Sequence, residues 1–231
     1  MNDHRTFGDY LTPIAGYRTL HLLDQRGCGG SGDVSPTGYT IARLVEDIEE
    51  TRAAFDHDTI DLIGHSYGGL IALQYALRWP ERIRTLIIVG CPARGWKGVI
   101  RSPSAWPIWS RQMLLNLKKE VNWTEFALKY DVGNRERLEA VRTIISVPKR
   151  FDPMRAKPLM GAAFEPIDVR TLPGRVRAAA IFGKQDRRFV WDAPYLRSKG
   201  FDVHIIDNCG HFPYIEQPKE FHLIIRRLLM G

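Results

Sequence analysis

Short apolar runs alternate along the chain with longer segments whose apolar residues recur every three to four positions. The short runs are rich in β-branched or aliphatic residues and are bounded by turn-forming residues, which is typical of β-strands. They predict strands at residues 19–23, 60–63, 86–89, 178–182 and 203–206. The longer segments predict amphipathic helices at residues 39–55, 70–79, 194–199 and 219–229.

Strands and helices therefore alternate through most of the 231 residues. Because the predicted strands are continuously apolar, we expect both faces of their sheet to be buried, as in parallel sheets with helical crossovers. The fold class that this pattern predicts is α/β, with a mostly parallel sheet covered by helices on both faces. The length suits one large domain, or a domain that carries an insertion.

Residues 94–171 interrupt this alternation. They contain helix-like segments at residues 106–121, 123–130 and 135–147, joined by stretches rich in Pro and Gly, and no convincing strand. We interpret them as a helical cap inserted into a core of residues 1–93 and 172–231. Four of the six tryptophans lie in this segment: Trp96, Trp106, Trp109 and Trp123.

Composition places the chain among average globular proteins, with 44% hydrophobic and 26% charged residues. It contains no apolar run long enough to cross a membrane and does not begin with a secretory signal. Its cysteines, Cys28, Cys91 and Cys209, are odd in number and lack C-x-x-C spacing, so we expect neither disulfides nor a metal site. These features favour a cytoplasmic protein that needs no cofactor.

A serine stands between two glycines where a predicted strand meets a predicted helix. Residues 60–63 run directly into Gly64-His65-Ser66-Tyr67-Gly68-Gly69, and the helix predicted at residues 70–79 follows. A G-x-S-x-G sequence in this strand–turn–helix context raises the serine hydroxyl above the sheet. Ser66 is therefore the candidate nucleophile, and the backbone amide of Tyr67 is a candidate oxyanion donor.

A serine nucleophile needs a base and a carboxylate, which are expected after later strands in the order serine, acid, histidine. His211 follows the last predicted strand and Asp186 follows the strand before it. We predict that His211 is the base and that Asp186 orients it, with Asp192 as a nearby competitor for the acid. The alternatives are a histidine that packs a turn and a carboxylate in a solvated loop.

With these motifs the sequence resembles the α/β-hydrolase family over nearly its whole length. Further similar segments are Asp24-Gln25-Arg26-Gly27-Cys28-Gly29-Gly30-Ser31-Gly32, Gly183-Lys184-Gln185-Asp186 and Gly210-His211-Phe212-Pro213. Residues 17–32 and 210–218 are most similar to the proline iminopeptidase branch, whose members remove amino-terminal proline or act on small amides and esters. That branch more often has Trp where Tyr67 stands here.

The resemblance also implies elements that this chain lacks. Family members begin with two or three further strands and an HGGPG-like loop that supplies a second oxyanion donor. The absent strand would lie between residues 19–23 and 60–63, so we expect either a gap there or a direct pairing of these two segments. Either the natural protein extends upstream of Met1, which we favour, or this is a shortened form with impaired catalysis.

The function expected from these observations is a serine hydrolase that cleaves a small ester or amide, in the manner of a proline iminopeptidase. Its substrate would be a small molecule or a short peptide, bound by the cap through Trp106, Trp109 and Trp123. Recognition of a free amino terminus would use a cap carboxylate, and the candidates are Glu120, Glu125, Asp131, Glu165 and Asp168.

Two other classes of function stay open. The chain could be a ligand-binding protein without turnover, or an acyl transferase. Residues 92–175 carry 16 basic and 8 acidic residues, a net charge of +8, but these charges are interleaved with Trp and Leu. We interpret them as a solvated face and expect no nucleic-acid or membrane partner, while a homo-oligomeric state is left open.

Overall fold

Four of the five predicted strands form one parallel sheet. The computed structural model describes residues 3–94, 106–117, 122–147 and 167–231. The strands are β1 (Ile60–His65), β2 (Ile83–Val89), β3 (Arg177–Gly183) and β4 (Asp202–Ile206). They are ordered β1-β2-β3-β4, and each neighbouring pair is parallel. All four strands therefore end at the same edge of the sheet.

Helices cover the sheet where the sequence pattern places amphipathic segments. They are α1 (Ile41–Ala54), α2 (Tyr67–Arg78), α3 (Trp106–Leu117), α4 (Trp123–Tyr130), α5 (Leu138–Ile145), α6 (Ala193–Ser198), α7 (Pro213–Glu216) and α8 (Pro218–Met230). A 3₁₀-helix at Gly8–Gly16 precedes them. No helix in the described part of the chain is both long and apolar enough to span a membrane.

The hydrophobic core lies on both faces of the central strands. Successive side chains of a strand point to opposite faces, and those of β2 divide accordingly. Leu86 and Ile88 pack in the cluster that contains the buried residues of α1, α2 and α6. Ile87 and Val89 pack in the cluster that contains the buried residues of α8. The predicted α/β fold class, with a parallel sheet covered on both faces, is thus confirmed.

The described residues between β2 and β3 include three helices, α3, α4 and α5, as the pattern predicts. Helix α4 begins after Asn122, whose side-chain oxygen accepts a hydrogen bond of 3.1 Å from the Glu125 N–H. The last four residues of the helix predicted at 106–121 lie outside the described residues, as does Trp96. The role of this insertion as a cap stays a prediction.

The strand predicted at residues 19–23 is wrong. These residues form an irregular segment, and their backbone makes no backbone–backbone hydrogen bond to another described residue. A strand needs a neighbour at hydrogen-bonding distance, and here a cavity of about 590 Å³ lies between this segment and β1. We call this cavity the edge channel; β1 lines one side of it and residues 18–23 line the other. A direct pairing of residues 19–23 with β1, one of the arrangements expected from the sequence, is not found among the described residues.

Candidate active site

Ser66 occupies a strained turn between β1 and α2. Its φ of 54° and ψ of −119° lie in a region that non-glycine residues rarely adopt. The turn is tight because β1 ends against the start of α2: a Cβ atom on Gly64 would lie 2.5 Å from the Gly68 carbonyl oxygen. The Ser66 N–H donates a hydrogen bond of 2.8 Å to the Val89 carbonyl at the end of β2. These contacts hold Ser66 at the carboxyl edge of the sheet.

The Tyr67 amide lies at the amino-terminal end of α2. Tyr67 is the first residue of this helix, so its N–H lies at the positive end of the helix dipole. This field would stabilise an oxyanion on a carbon atom that has become bonded to Ser66 Oγ. The structure thus places the predicted oxyanion donor in the first turn of α2.

Asp186 and His211 form a buried hydrogen-bonded pair beyond the ends of β3 and β4. The Asp186 Oδ2 atom lies 2.8 Å from Nδ1 of His211, and both residues are buried. Gly90, with a φ of 53°, makes room for the pair, because a Cβ atom there would lie 2.9 Å from His211 Nδ1. A carboxylate can only accept, so Nδ1 carries the proton and Nε2 of neutral His211 can accept one.

The surroundings of His211 favour its protonated form. Burial lowers the pKa of the imidazole, but the charge and hydrogen bond of Asp186, together with the charge of Asp131, outweigh burial and raise it above its ordinary value. His65 packs beside His211, with ring centroids 4.7 Å apart. Burial lowers the pKa of His65 to about 3, so it stays neutral and donates from Nε2 to the His211 carbonyl oxygen, 2.8 Å away.

Asp131 and Arg188 hold the insertion against the backbone of His211. The Asp131 carboxylate accepts hydrogen bonds of 2.6 and 2.5 Å from the Arg188 guanidinium, and its backbone carbonyl accepts one of 2.6 Å from the His211 N–H. The Arg188 N–H in turn donates to Asp186 Oδ1, at 3.2 Å. These contacts join residues far apart in sequence, and the motif pattern gave no signal for Arg188.

Glu216 fixes the loop that carries His211. Its buried carboxylate accepts four backbone N–H bonds of 2.8 to 3.1 Å, from Gly133, Asn134, Gly210 and Phe212. Two of these donors belong to the insertion and two flank His211. Burial raises the pKa of this carboxyl, while the four N–H donors lower it and offset part of that increase. Sequence reasoning missed this residue, although it lies five positions after His211.

Ser66 and His211 line the same cavity, the edge channel, together with His65, Tyr67 and Gly68. The predicted nucleophile, base and oxyanion donor therefore line one cavity. Within the described residues, no hydrogen bond joins Ser66 Oγ to His211. Such bonds are often long in ligand-free sites and shorten when substrate binds.

Comparison with known proteins agrees with this arrangement. A family model for the alpha/beta hydrolase family matches residues 3–222. The chain belongs to this family. It is 43% identical over 86 residues to the proline iminopeptidase of Saccharolobus solfataricus, a match that covers 35% of the chain but only 28% of that protein. It is also 26% identical to the 2-hydroxymuconate semialdehyde hydrolase of Pseudomonas putida, over 92% of the chain and 77% of that enzyme.

Solved structures show the same alpha/beta hydrolase fold. The proline iminopeptidase-related protein from Thermus thermophilus superposes with a TM-score of 0.80 at 18% identity, covering 99% of this chain and 85% of that one. Est816, described as an N-acyl homoserine lactone degrading enzyme, superposes with a TM-score of 0.72 at 23% identity, covering 98% and 90%. The local match to the archaeal enzyme confirms the relatedness to proline iminopeptidases that the motifs indicated.

The other candidate residues that the structure describes do not line the cavity at Ser66. Trp106 and Trp123 are about half exposed, and neither lines the edge channel. The Trp109 side chain lies outside the described part of the structure. Asp192, the competitor for the acid, instead pairs with Arg94: the Arg94 backbone N–H donates to Asp192 Oδ2 at 3.1 Å. Asp186 is the carboxylate that pairs with His211. Substrate binding by the tryptophans stays a prediction.

The carboxylates considered for an amino-terminal substrate group are already paired where the structure describes them. Asp131 is bound to Arg188, Glu125 to Arg142 at 2.5 Å, and Asp168 to Arg170 at 2.5 Å. Glu120 and Glu165 lie outside the described residues. The described geometry therefore favours none of these five residues for recognition of a free amino group.

Proposed function

We propose that this chain is a serine hydrolase that cleaves a small ester or amide through an acyl-enzyme. The observation that carries the proposal is His211, which forms a buried pair with Asp186 and lines one cavity with a serine held at a φ of 54°. Such a histidine could activate the serine, because a hydroxyl becomes a good nucleophile only when a base can take its proton. Relatedness to hydrolases over most of the chain gives further support.

In the proposed reaction, Ser66 Oγ attacks the carbonyl carbon of the substrate while Nε2 of His211 takes the hydroxyl proton. The Tyr67 N–H donates to the oxyanion that forms. His211 then gives the proton to the leaving alcohol or amine, and the acyl group stays on Ser66. Water attacks the acyl-enzyme with His211 again as base, which releases the acid and restores Ser66. Throughout, Asp186 holds Nδ1 protonated and stabilises the imidazolium.

A proline iminopeptidase-like specificity belongs to the same proposal. It rests on the local similarity to the archaeal iminopeptidase and on the fold similarity to the Thermus protein. Proline amides and small esters are therefore the substrates to screen, with Trp106, Trp109 and Trp123 as the predicted contacts from the insertion. Acyl transfer to an acceptor other than water would use the same acyl-enzyme.

Covalent labelling with a fluorophosphonate tests the proposal. Ser66 Oγ should displace fluoride from the phosphorus atom of the probe, and the labelled peptide should contain Ser66. We expect Ser66→Ala to abolish labelling and His211→Ala to slow it by about 10³-fold or more, since the serine then lacks its base. Mass spectrometry identifies the site, and a thermal melt establishes that each variant is folded.

Two matched variants serve as controls. Ser198→Ala removes an exposed serine at the end of α6, and His204→Ala removes a histidine that also pairs with a carboxylate, Asp202, at 3.1 Å. Both should label at the normal rate. A folded chain that stays unlabelled would refute the hydrolase and favour a ligand-binding protein.

A further inference from the structure

A second cavity lies between the insertion and the turn that carries Asp186. It has a volume of about 350 Å³ and shares no lining residue with the edge channel. One side of it is formed by the end of α4 and the residues before α5, and the other side by the turn that follows β3. We call it the basic pocket, because its lining includes Lys129, Gly133, Arg135, Lys184, Gln185 and Arg187.

Both sides of the basic pocket are anchored to the loop that precedes His211. On the side of the insertion, Gly133 packs closely on this loop, since a Cβ atom there would lie 2.7 Å from the backbone of Cys209 and Gly210. On the other side, the Gln185 N–H donates to the Cys209 carbonyl oxygen and the Cys209 N–H donates to Gln185 Oε1, each at 2.8 Å. These contacts hold the shape of the pocket without help from a ligand, which lowers the entropic cost of binding one.

The charges around the basic pocket have one sign. No carboxylate lines it among the residues that the structure describes. Lys184 pairs with Asp207 at 2.6 Å, but these side chains are 63% and 76% exposed, so the pair holds the lysine only weakly. Lys129, Arg135 and Arg187 form no ion pair with another described residue. A cleft lined by charges of one sign concentrates their field and attracts ions of the opposite sign.

The carboxylates nearest to these cations in sequence are bound elsewhere. Asp131 and Asp186 are buried, and they pair with Arg188 and His211. Glu136 is exposed and does not line the pocket. The same two segments therefore bury their paired aspartates and present their cations to one cavity. Repulsion among these cations would be relieved by a bound anion.

We propose that the basic pocket binds a small oxyanion that carries two or more negative charges, on phosphate or carboxylate groups. Guanidinium groups match the oxygen atoms of either group in paired hydrogen bonds, and a lysine ammonium adds a further charge. The volume lies within the range of small-molecule sites. A nucleic-acid strand would need a basic groove that continues along its backbone, whereas these four cations surround one cavity.

The proposed anion would contact both the insertion and the turn that follows β3, because each side of the pocket contributes two cations. Lys129 and Arg135 belong to the insertion, and Lys184 and Arg187 belong to the turn. A bound anion would therefore hold these two segments together. The inference does not depend on the proposed hydrolase activity.

Isothermal titration calorimetry of the full chain tests the proposal with two probes, inorganic pyrophosphate and citrate, at about 50 mM salt to limit screening. We expect one ion per chain, with a Kd below about 1 mM for at least one probe. Tighter binding of pyrophosphate would identify a phosphate-bearing ligand, and tighter binding of citrate a polycarboxylate. Hydrogen exchange should locate the ion, with slower exchange at residues 129–135 and 184–187 and unchanged exchange in α1.

The test variant combines Lys129→Gln with Arg187→Gln, one cation from each side of the pocket. We expect it to weaken binding by about tenfold or more, because charge-assisted hydrogen bonds are lost. The matched control combines Arg137→Gln with Lys219→Gln, which removes the same two types of charge from exposed positions outside the pocket. It should change the Kd by less than about twofold. A thermal melt establishes that both variants are folded.

Three results would overturn the proposal. Equal weakening in the two double variants would mean that the anion follows the net charge of +7 and not the pocket. No binding of either probe up to about 10 mM would exclude the site. Tighter binding of a single-stranded oligonucleotide of about twelve nucleotides than of either probe would indicate a nucleic-acid surface instead.

Discussion

At the level of single residues, the pKa of His211 is set by neighbouring groups that shift it in opposite directions. Burial and the Arg188 charge lower its pKa, the Asp186 and Asp131 carboxylates raise it, and His65 beside it is neutral. The net effect is a raised pKa. A general base works only when it is neutral, so Ser66 should be activated only as pH rises through this raised value. We expect the rate of fluorophosphonate labelling to increase with pH, with a midpoint above about 6.5, the ordinary value for histidine.

Replacing the orienting carboxylate should change both the rate and its pH dependence. Asp186→Asn removes the charge that raises the pKa of His211, so the midpoint should move to lower pH. The plateau should fall by about 10⁴-fold, because an amide also accommodates the wrong tautomer. Labelling rates across about pH 5 to 9 measure both effects. The control Asp202→Asn, at the pair with His204, should leave the profile unchanged, and an unmoved midpoint in Asp186→Asn would contradict the assigned pair.

The sequence predicts the residues of the candidate site that belong to local motifs, but not those that support them. Ser66, Asp186 and His211 each follow a strand at a recognisable turn. By contrast, Arg188 pairs with Asp131 across 57 positions, and Glu216 binds backbone N–H groups 82 and 83 positions away. Contacts of this kind depend on how the insertion folds back on the sheet, which no local pattern encodes.

At the level of elements, the turn between β1 and α2 depends on the absence of a side chain at Gly64. A Cβ atom there would lie 2.5 Å from a backbone oxygen of α2, which cannot move without displacing the helix. We expect Gly64→Ala to lower the free energy of unfolding by about 1–3 kcal/mol and to misplace Ser66. Urea unfolding and fluorophosphonate labelling measure the two effects.

Gly68→Ala is the matched control, because a Cβ atom at Gly68 meets nothing within 4 Å. It should be at least as stable as the natural chain, since alanine favours helix over glycine by about 1 kcal/mol. Equal stability of the two variants would mean that β1 and α2 are not as closely packed as the structure shows.

Strand assignment from sequence succeeds here where the strand has a neighbour. The pattern predicts strands β1 to β4 within a few residues because their apolar runs pack in the two core clusters. Residues 19–23 also contain several aliphatic residues, but these line a cavity, and no neighbouring strand among the described residues pairs with their backbone. The hydrophobicity of a segment indicates that its side chains tend to be buried, but it does not indicate which residues bury them.

At the level of the whole molecule, the buried pair of Asp131 and Arg188 joins the insertion to the core. The two side chains are 6% and 13% exposed, and burial raises the pKa of Asp131 despite the opposing charge of Arg188. Arg188→Met would leave that carboxylate buried and uncompensated. We expect it to lower the free energy of unfolding at pH 7 by about 3–5 kcal/mol, measured by urea denaturation.

A second substitution should recover most of this loss. Asp131→Asn together with Arg188→Met removes both charges, so no unpaired ion remains. The contact of residue 131 with His211 is also kept, because it is made by the backbone carbonyl. The single Arg188→Met variant should also regain stability as pH falls, because protonation of Asp131 neutralises the buried charge. The exposed pair of Arg170 and Asp168 provides the control, and Arg170→Met should have no measurable effect. If the double variant were less stable than Arg188→Met, the pair itself, not the relief of a buried charge, would hold the insertion to the core.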